Sequence, residues 1–242
     1  MKYLNYFTPA EAFLILYPQK SSRIDLLKAT FFDLLMKGIL MVKEETAQVG
    51  AERASRIKYI VAGDYFIGYQ FLPHEGVYLS PFLKDAHLKI MMKSLIKIGL
   101  ENSNNENWYK ADALMKQPRI NSLFNNSELF ALIRLRLLTP SGRKMQKILL
   151  TEISEVEKEL AKLKGKDKIQ EANLVSKIGG CVILLNNYKS DVLTQIDLKL
   201  QAEYSAITAA AAANNGWNWG ASCSSCSSCS SCSGCGGCGG CN

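Results

Sequence analysis

The sequence predicts a mainly α protein: a helical domain with a small β-hairpin, winged-helix-like in its N-terminal part, then a disordered Cys-rich C-terminal tail. Three observations carry this. Apolar residues recur at helical spacing through most of residues 1–204. One stretch, "RIKYIVAGDYFIGYQFL", is dense in β-branched and aromatic residues. The last residues, 221–242, contain no Val, Ile, Leu or Phe and have nothing with which to build a core. The expected division is a globular domain over 1–204, an Ala/Asn/Trp linker over 205–220 and the Cys/Ser/Gly tail over 221–242.

The elements follow in order. An apolar residue, a Ser or Thr and a Pro recur three times, as "FTP" at 7–9, "LSP" at 79–81 and "LTP" at 138–140. A hydroxyl at the N-cap accepts from an unpaired backbone N–H, and Pro suits the first helical position. Helices are therefore expected to start near residues 8, 80 and 139, the first with a Thr8–Glu11 capping box. The first helix should stop near Pro18. A second should begin after Ser21 or Ser22 and carry Ile24, Leu27, Phe31, Leu34 and Leu35, ending at Gly38. "ILMVKEE" reads as a strand, and the aromatic stretch supplies a second strand with a turn at Gly63-Asp64, a hairpin within 39–72. Helix, helix, strand, turn, strand is a winged-helix order.

Beyond Pro81, "PFLKDAHLKIMMKSLIKIGL" reads as one helix with an apolar side (Leu88, Met91, Met92, Leu95, Ile98) and a lysine side. "ENSNNENW" and "LFNNSE" read as loops and "SELFALIRLRLL" as a short helix. A longer helix runs from Pro140 to Gly165 with Ile153, Val156, Leu160 and Leu163 as its stripe. Two more are expected, over 168–186 and 190–204. Gly179-Gly180 falls inside the first of these as a close-packing site, and Cys181 is a small core residue. His74, in a Pro-His-Glu-Gly turn, and His87 are expected at the solvated surface.

The tail raises the functional question. Cys223, Cys226, Cys229, Cys232, Cys235, Cys238 and Cys241 stand at a strict three-residue interval. Cys-x-x-Cys units let two thiolates reach one ion, which suits soft metals such as zinc or copper(I). The Ser-Cys-Ser and Gly-Cys-Gly run also resembles the core peptides of thiazole/oxazole-modified microcins, which implies a substrate for cysteine-modifying enzymes. S-acylation at a membrane and simple repeat expansion are two further readings. Seven thiols in one tail fit a reducing, cytoplasmic setting better than an oxidising one.

The chain carries 29 basic and 22 acidic residues, a net charge of +7, which favours an anionic partner or serves solubility. No stretch approaches the roughly 20 apolar residues of a membrane span. No glycine-rich nucleotide loop, nucleophile elbow or paired-histidine motif appears, so an enzyme is disfavoured and no small-molecule substrate is evident. Sequence-specific DNA binding is disfavoured too. The second helix offers only Arg23, Lys28 and Lys37, spread around an apolar cylinder, where base readout needs several polar side chains on one face.

"LNYFTPAEAFLIL", "ATFFDLLMKGILMVKEE" and "GGCVILLNNYKSDVLTQI" resemble segments of the Golgi phosphoprotein 3 family, over about residues 7–203. The resemblance implies a mostly helical domain with a β-hairpin that docks on anionic, phosphoinositide-containing membranes. The family's pocket Trp after the first helix has no counterpart in "YPQKSSRIDLL", and Arg134 and Arg136 stand two apart rather than three. The resemblance therefore implies the fold and not the ligand. Two functions follow as expectations. One is a non-enzymatic carrier whose tail binds soft metal or is modified at cysteine. The alternative is peripheral binding to anionic membranes, aided by an exposed hairpin bearing Tyr65, Phe66, Tyr69 and Phe71.

Overall fold

A computed structural model describes residues 1–48, 54–125, 136–163 and 165–185, together with 202, 205, 206 and 209. It is mainly α with a small antiparallel sheet, as the sequence predicts. Two capping boxes set the first two helices. Thr8 Oγ1 accepts from Glu11 N while the Glu11 carboxylate accepts from Thr8 N, which opens α1, Pro9–Leu16. Ser22 and Asp25 repeat the exchange for α2, Arg23–Met36. Each such cap stabilises its helix by about 1 kcal/mol. Gly38 then turns the chain at φ 64°, a left-handed conformation that costs glycine little.

β1, Leu40–Gln48, pairs with β2, Ala54–Ala62, from Leu40↔Ala62 to Gln48↔Ala54. The link between the strands thus falls at 49–53, outside the described residues, and not at Gly63-Asp64. Gly63 instead closes the strand end, its N–H donating to Ile39 O. Residues 64–75 form an irregular loop after the hairpin.

The segment expected to be one helix from Pro81 is broken. α3 spans Gly76–Lys84, so Pro81 lies inside it and Ser80 is not its cap. Proline removes the N–H that would bond the carbonyl four residues back. That carbonyl, Val77 O, is satisfied by Asn102 Nδ2 at 3.0 Å, and the same amide reaches Ser80 Oγ. After Lys84, Asp85 Oδ1 accepts from His87 N, an Asx-type turn that stops the helix. His87 is exposed, as expected, but on this turn. β3, Ile90–Met91, then adds to the sheet beside Tyr59 and Ile60, and α4, Met92–Asn102, follows. Its buried residues are Leu95, Ile96, Gly99 and Leu100, a face shifted from the expected one by the new start.

α5, Glu106–Trp108, runs into a π-helix, Tyr109–Met115, and then α6, Pro118–Asn121. The first two occupy sequence read partly as loop. The short helix expected over 127–138 lies largely outside the described residues. α7, Pro140–Leu163, begins where Thr139 Oγ1 accepts from Gly142 N. Ile153, Val156 and Leu160 of its stripe are buried and Leu163 partly so. α8, Lys168–Ile178, is capped by Asp167 and ends at Gly179, whose φ of 59° and ψ of −139° break the helix expected to run on to 186. A 3-10 helix, Gly179–Leu184, replaces it. The helix expected over 190–204, the linker and the tail lie outside the described residues, apart from scattered positions.

One core holds these elements together. Phe31 of α2 and Tyr78 of α3 meet at a centroid distance of 5.2 Å, and Leu26, Leu27 and Leu34 are fully buried beside them. The N-terminal segment is seated from the far end of the chain. Glu152 of α7 accepts from the backbone N–H groups of Tyr3 and Leu4, and Cys181 Sγ donates to Leu4 O. Cys181 is therefore a core residue, as read from the sequence.

Candidate functional site

Three carboxylates meet under the N-terminus of α1. Glu11 comes from α1, Asp33 from the last turn of α2 and Glu75 from the residue preceding α3, and all three are buried. Two cations answer them. Arg119 of α6 donates to Glu11 Oε1 at 3.1 Å and to Tyr6 O. Lys37 reaches Asp33 Oδ2 at 2.6 Å and Glu75 Oε1 at 3.3 Å. Tyr69 donates to Glu75 Oε1 at 2.9 Å, and Glu75 Oε2 accepts from Leu72 N. The irregular loop is thereby tied to the end of α2.

Burial sets the proton affinities here. It pushes Asp33 up to about 6, against the pull of Lys37, and raises Glu11 against the pull of Thr8 and Arg119. Burial also works against the charge on Lys37, but Asp33 and Glu75 outweigh it and hold the ammonium above the usual lysine range. Tyr69 is raised to about 12 by burial and by the Glu75 charge.

His74 is the main correction to the sequence reading. It is fully buried, not solvated, with Nε2 3.2 Å from Thr8 Oγ1. Burial holds it down to about 4, so the ring is neutral at pH 7. Its carbonyl accepts from Tyr109 OH, which also lies 3.0 Å from Thr30 Oγ1. Nδ1 is buried without a hydrogen-bond partner among the described residues.

A cavity of about 340 Å³ opens beside this cluster. Its walls are residues 4–9, Asp33, Met36 and Lys37 at the end of α2, Arg119, and the segment from Ser176 to Cys181. Asp33, 3% exposed, lines it. Gly180 abuts the same carboxylate, and a Cβ there would stand 2.3 Å from Asp33 Oδ1. The close-packing role read for Gly179-Gly180 is thus real at Gly180, although the pair ends a helix instead of continuing one. Ser176 and Lys177 are exposed at the rim.

No family model, curated protein or solved structure matches this chain.

The other expected site residues divide in two. Cys223, Cys226, Cys229, Cys232, Cys235, Cys238 and Cys241 lie outside the described residues. Among the described residues, no three His, Cys, Asp or Glu side chains converge as a metal site. The aromatic residues assigned to the hairpin belong to the loop after it, and they separate. Tyr65 is 71% exposed and Phe71 40% exposed, with Ile67 between them at 89%. Phe66 turns inward to Phe82 of α3, at 6.2 Å between centroids, and Tyr69 joins the charge cluster. Ile67, the most exposed of these, was not singled out from sequence, where an isolated Ile beside Gly68 carries no periodic signal.

The helix that would read DNA in a winged-helix protein is α2. It buries Leu26, Leu27 and every residue from Ala29 to Leu34. Arg23 donates to Asn104 O and Lys37 is held in the cluster. Of Arg134 and Arg136, the first lies outside the described residues and the second is buried. Among the described residues no helix is long and apolar enough to cross a membrane.

Proposed function

We propose that the helical domain is a peripheral membrane-binding carrier that attaches weakly to anionic bilayers through the loop at 64–71. One observation carries this: Tyr65, Ile67 and Phe71 are exposed within seven residues, on a loop anchored from behind by Phe66 and Tyr69. Large apolar side chains held in water on a fixed loop are suited to the interfacial layer of a bilayer. Phe82 packs on Phe66, and α3 ends in exposed Leu83 and Lys84. A net charge of +7 adds a diffuse attraction to anionic lipid.

The magnitude is modest. Moving one such side chain out of water contributes about 1.5–3 kcal/mol when burial is complete. Two of them give about 3–6 kcal/mol, an attachment in roughly the tens of micromolar to millimolar range. Co-sedimentation of the full chain with vesicles tests it. Binding to vesicles containing phosphatidylserine is expected, with loss on Ile67→Asp and in high salt. Equal binding by the Ile67→Asp protein overturns the reading.

The spacing of the tail cysteines favours a second function alongside the first: the domain carries the tail, and the tail is the working part. Thiolates three apart support soft-metal binding, with proton release as zinc or copper(I) enters. The same residues with Ser and Gly neighbours support enzymatic modification. Intact-mass spectrometry of the protein from its own host separates these. Ring formation lowers the mass, acylation raises it, and seven freely alkylating, metal-free thiols overturn both carrier readings.

A further inference from the structure

A second cavity, of about 580 Å³, lies where the turn after α1, the start of α5 and the segment leading into α7 meet. Arg136 lines it and is only 8% exposed. Its backbone is pinned, because Gln19 Nε2 donates to Arg136 O at 2.6 Å. Its guanidinium, by contrast, makes no hydrogen bond or ion pair among the described residues. A buried cation without a counter-charge is costly, so a guanidinium held this way calls for an anion.

The rest of the lining is rich in donors. Lys110 of the π-helix, 6% exposed, gives one bond to Glu106 Oε1 at 2.7 Å and has donors to spare. Asn105 spends its Oδ1 on Trp108 N, which leaves its amide nitrogen to donate. Asn107, half-buried, adds a second amide. Glu106 is the one carboxylate among the lining residues, and Lys110 offsets its charge. The net charge of the wall is therefore that of Arg136 alone.

These features restrict the occupant. A phosphate monoester carries about −1.5 to −2 at pH 7, more than one guanidinium balances, and the excess would sit beside Glu106. A carboxylate carries one charge, and its planar pair of oxygens matches the guanidinium fork. The donors of Lys110 and the two amides suit neutral oxygens on the same molecule. The volume falls within the roughly 300 to 1,000 Å³ of small-molecule sites. We propose that this cavity binds a small hydroxylated monocarboxylic acid, its carboxylate on the Arg136 guanidinium.

The test is thermal shift and isothermal titration calorimetry on the full chain at pH 7.5, with glycolate, L-lactate, D-glycerate, D-gluconate and D-glucuronate. At least one should raise Tm and give measurable heat. The primary amide of that acid should bind at least tenfold more weakly. Arg136→Met keeps the apolar stem and removes the charge. It should weaken binding tenfold or more, with a ligand-free Tm equal to or above that of the natural chain. Asn107→Asp, which adds a negative charge to the wall, should also weaken binding tenfold or more. The proposal is overturned if none of the five acids binds, if the amide binds equally well, or if either variant binds as the natural chain does. Tighter binding of myo-inositol 1-phosphate than of every acid overturns it too. So does a lower ligand-free Tm for Arg136→Met, which would show that the guanidinium already has a partner.

Discussion

Asp33 and Lys37 stand one helical turn apart at the end of α2, with 2.6 Å between Oδ2 and Nζ, and Lys37 spans from there to Glu75. One cation thus answers two buried carboxylates from different elements. Replacing it by Met leaves both without their counter-charge. A buried ion pair broken on one side costs about 3–5 kcal/mol. Lys37 is itself 37% exposed, so solvent screening reduces this to about 2 kcal/mol. Urea denaturation of Lys37→Met should show that loss, and the double variant with Asp33→Asn should recover part of it. An unchanged midpoint for Lys37→Met refutes the pairing.

The cluster contains two opposed pH responses. Asp33 is raised from 3.8 to about 6. Its contribution is present below pH 3.8 and is lost as pH rises through 6, because the unfolded chain ionises first. Glu11 acts in the same direction. His74 is lowered from 6.5 to about 4. Its contribution is present above pH 6.5 and is lost as pH falls through 4. The two slopes offset each other between pH 4 and 6. In His74→Gln the stability should fall as pH rises across that window, and in Asp33→Asn it should rise. Parallel pH curves for the two variants contradict this assignment.

Thr8 both caps α1 and partners the buried His74. Thr8→Ala removes a cap worth about 1 kcal/mol and leaves Nε2 unpaired, a further 1–3 kcal/mol or so. Thr8→Ser should restore most of it. Thermal melts of the three proteins give the ranking directly.

Gly142, in the first turn of α7, lies against the chain that leads into it. A Cβ there would stand 2.1 Å from Leu123 O. Backbone does not yield as a flexible side chain does, so Gly142→Ala should destabilise by more than about 2 kcal/mol. An alanine variant that melts with the natural chain would place Leu123 elsewhere.

Cys181 is buried, and burial pushes its thiol well above the usual range. The thiol form is unreactive. Under native, reducing conditions iodoacetamide should leave Cys181 unlabelled, with labelling only after denaturation. Peptide mapping reads this residue apart from the tail.

The fold was legible wherever its causes are local. Thr8, Ser22 and Thr139 cap helices as their hydroxyls and neighbours imply, Gly38 ends α2, and the stripe of α7 is buried. "LSP" misleads because the first turn of a helix is only one place for Pro, and here Asn102, a residue distant in sequence, repairs the bond that Pro81 breaks. The helix at 168 stops early at Gly179, whose φ of 59° leaves the helical region, and Gly180 then packs on Asp33, a contact no local pattern records. The charge cluster was missed for the same reason. Glu11, Asp33, Glu75 and Arg119 are scattered over three helices and one loop, and each alone resembles a surface residue. His74 gave one signal only, its place between Pro73 and Glu75, which fits a solvated turn equally well.

The seating of Tyr3 and Leu4 by Glu152 has a consequence for synthesis. These backbone N–H groups find their acceptor 149 and 148 residues later in the chain. At roughly 5–20 residues per second, the ribosome takes about 7–30 s to supply it. Through that interval the N-terminal segment of the nascent protein lacks its final partners, a span in which a chaperone has time to hold it. Cys181 arrives later still, so translation must pass it before this segment is enclosed on both sides.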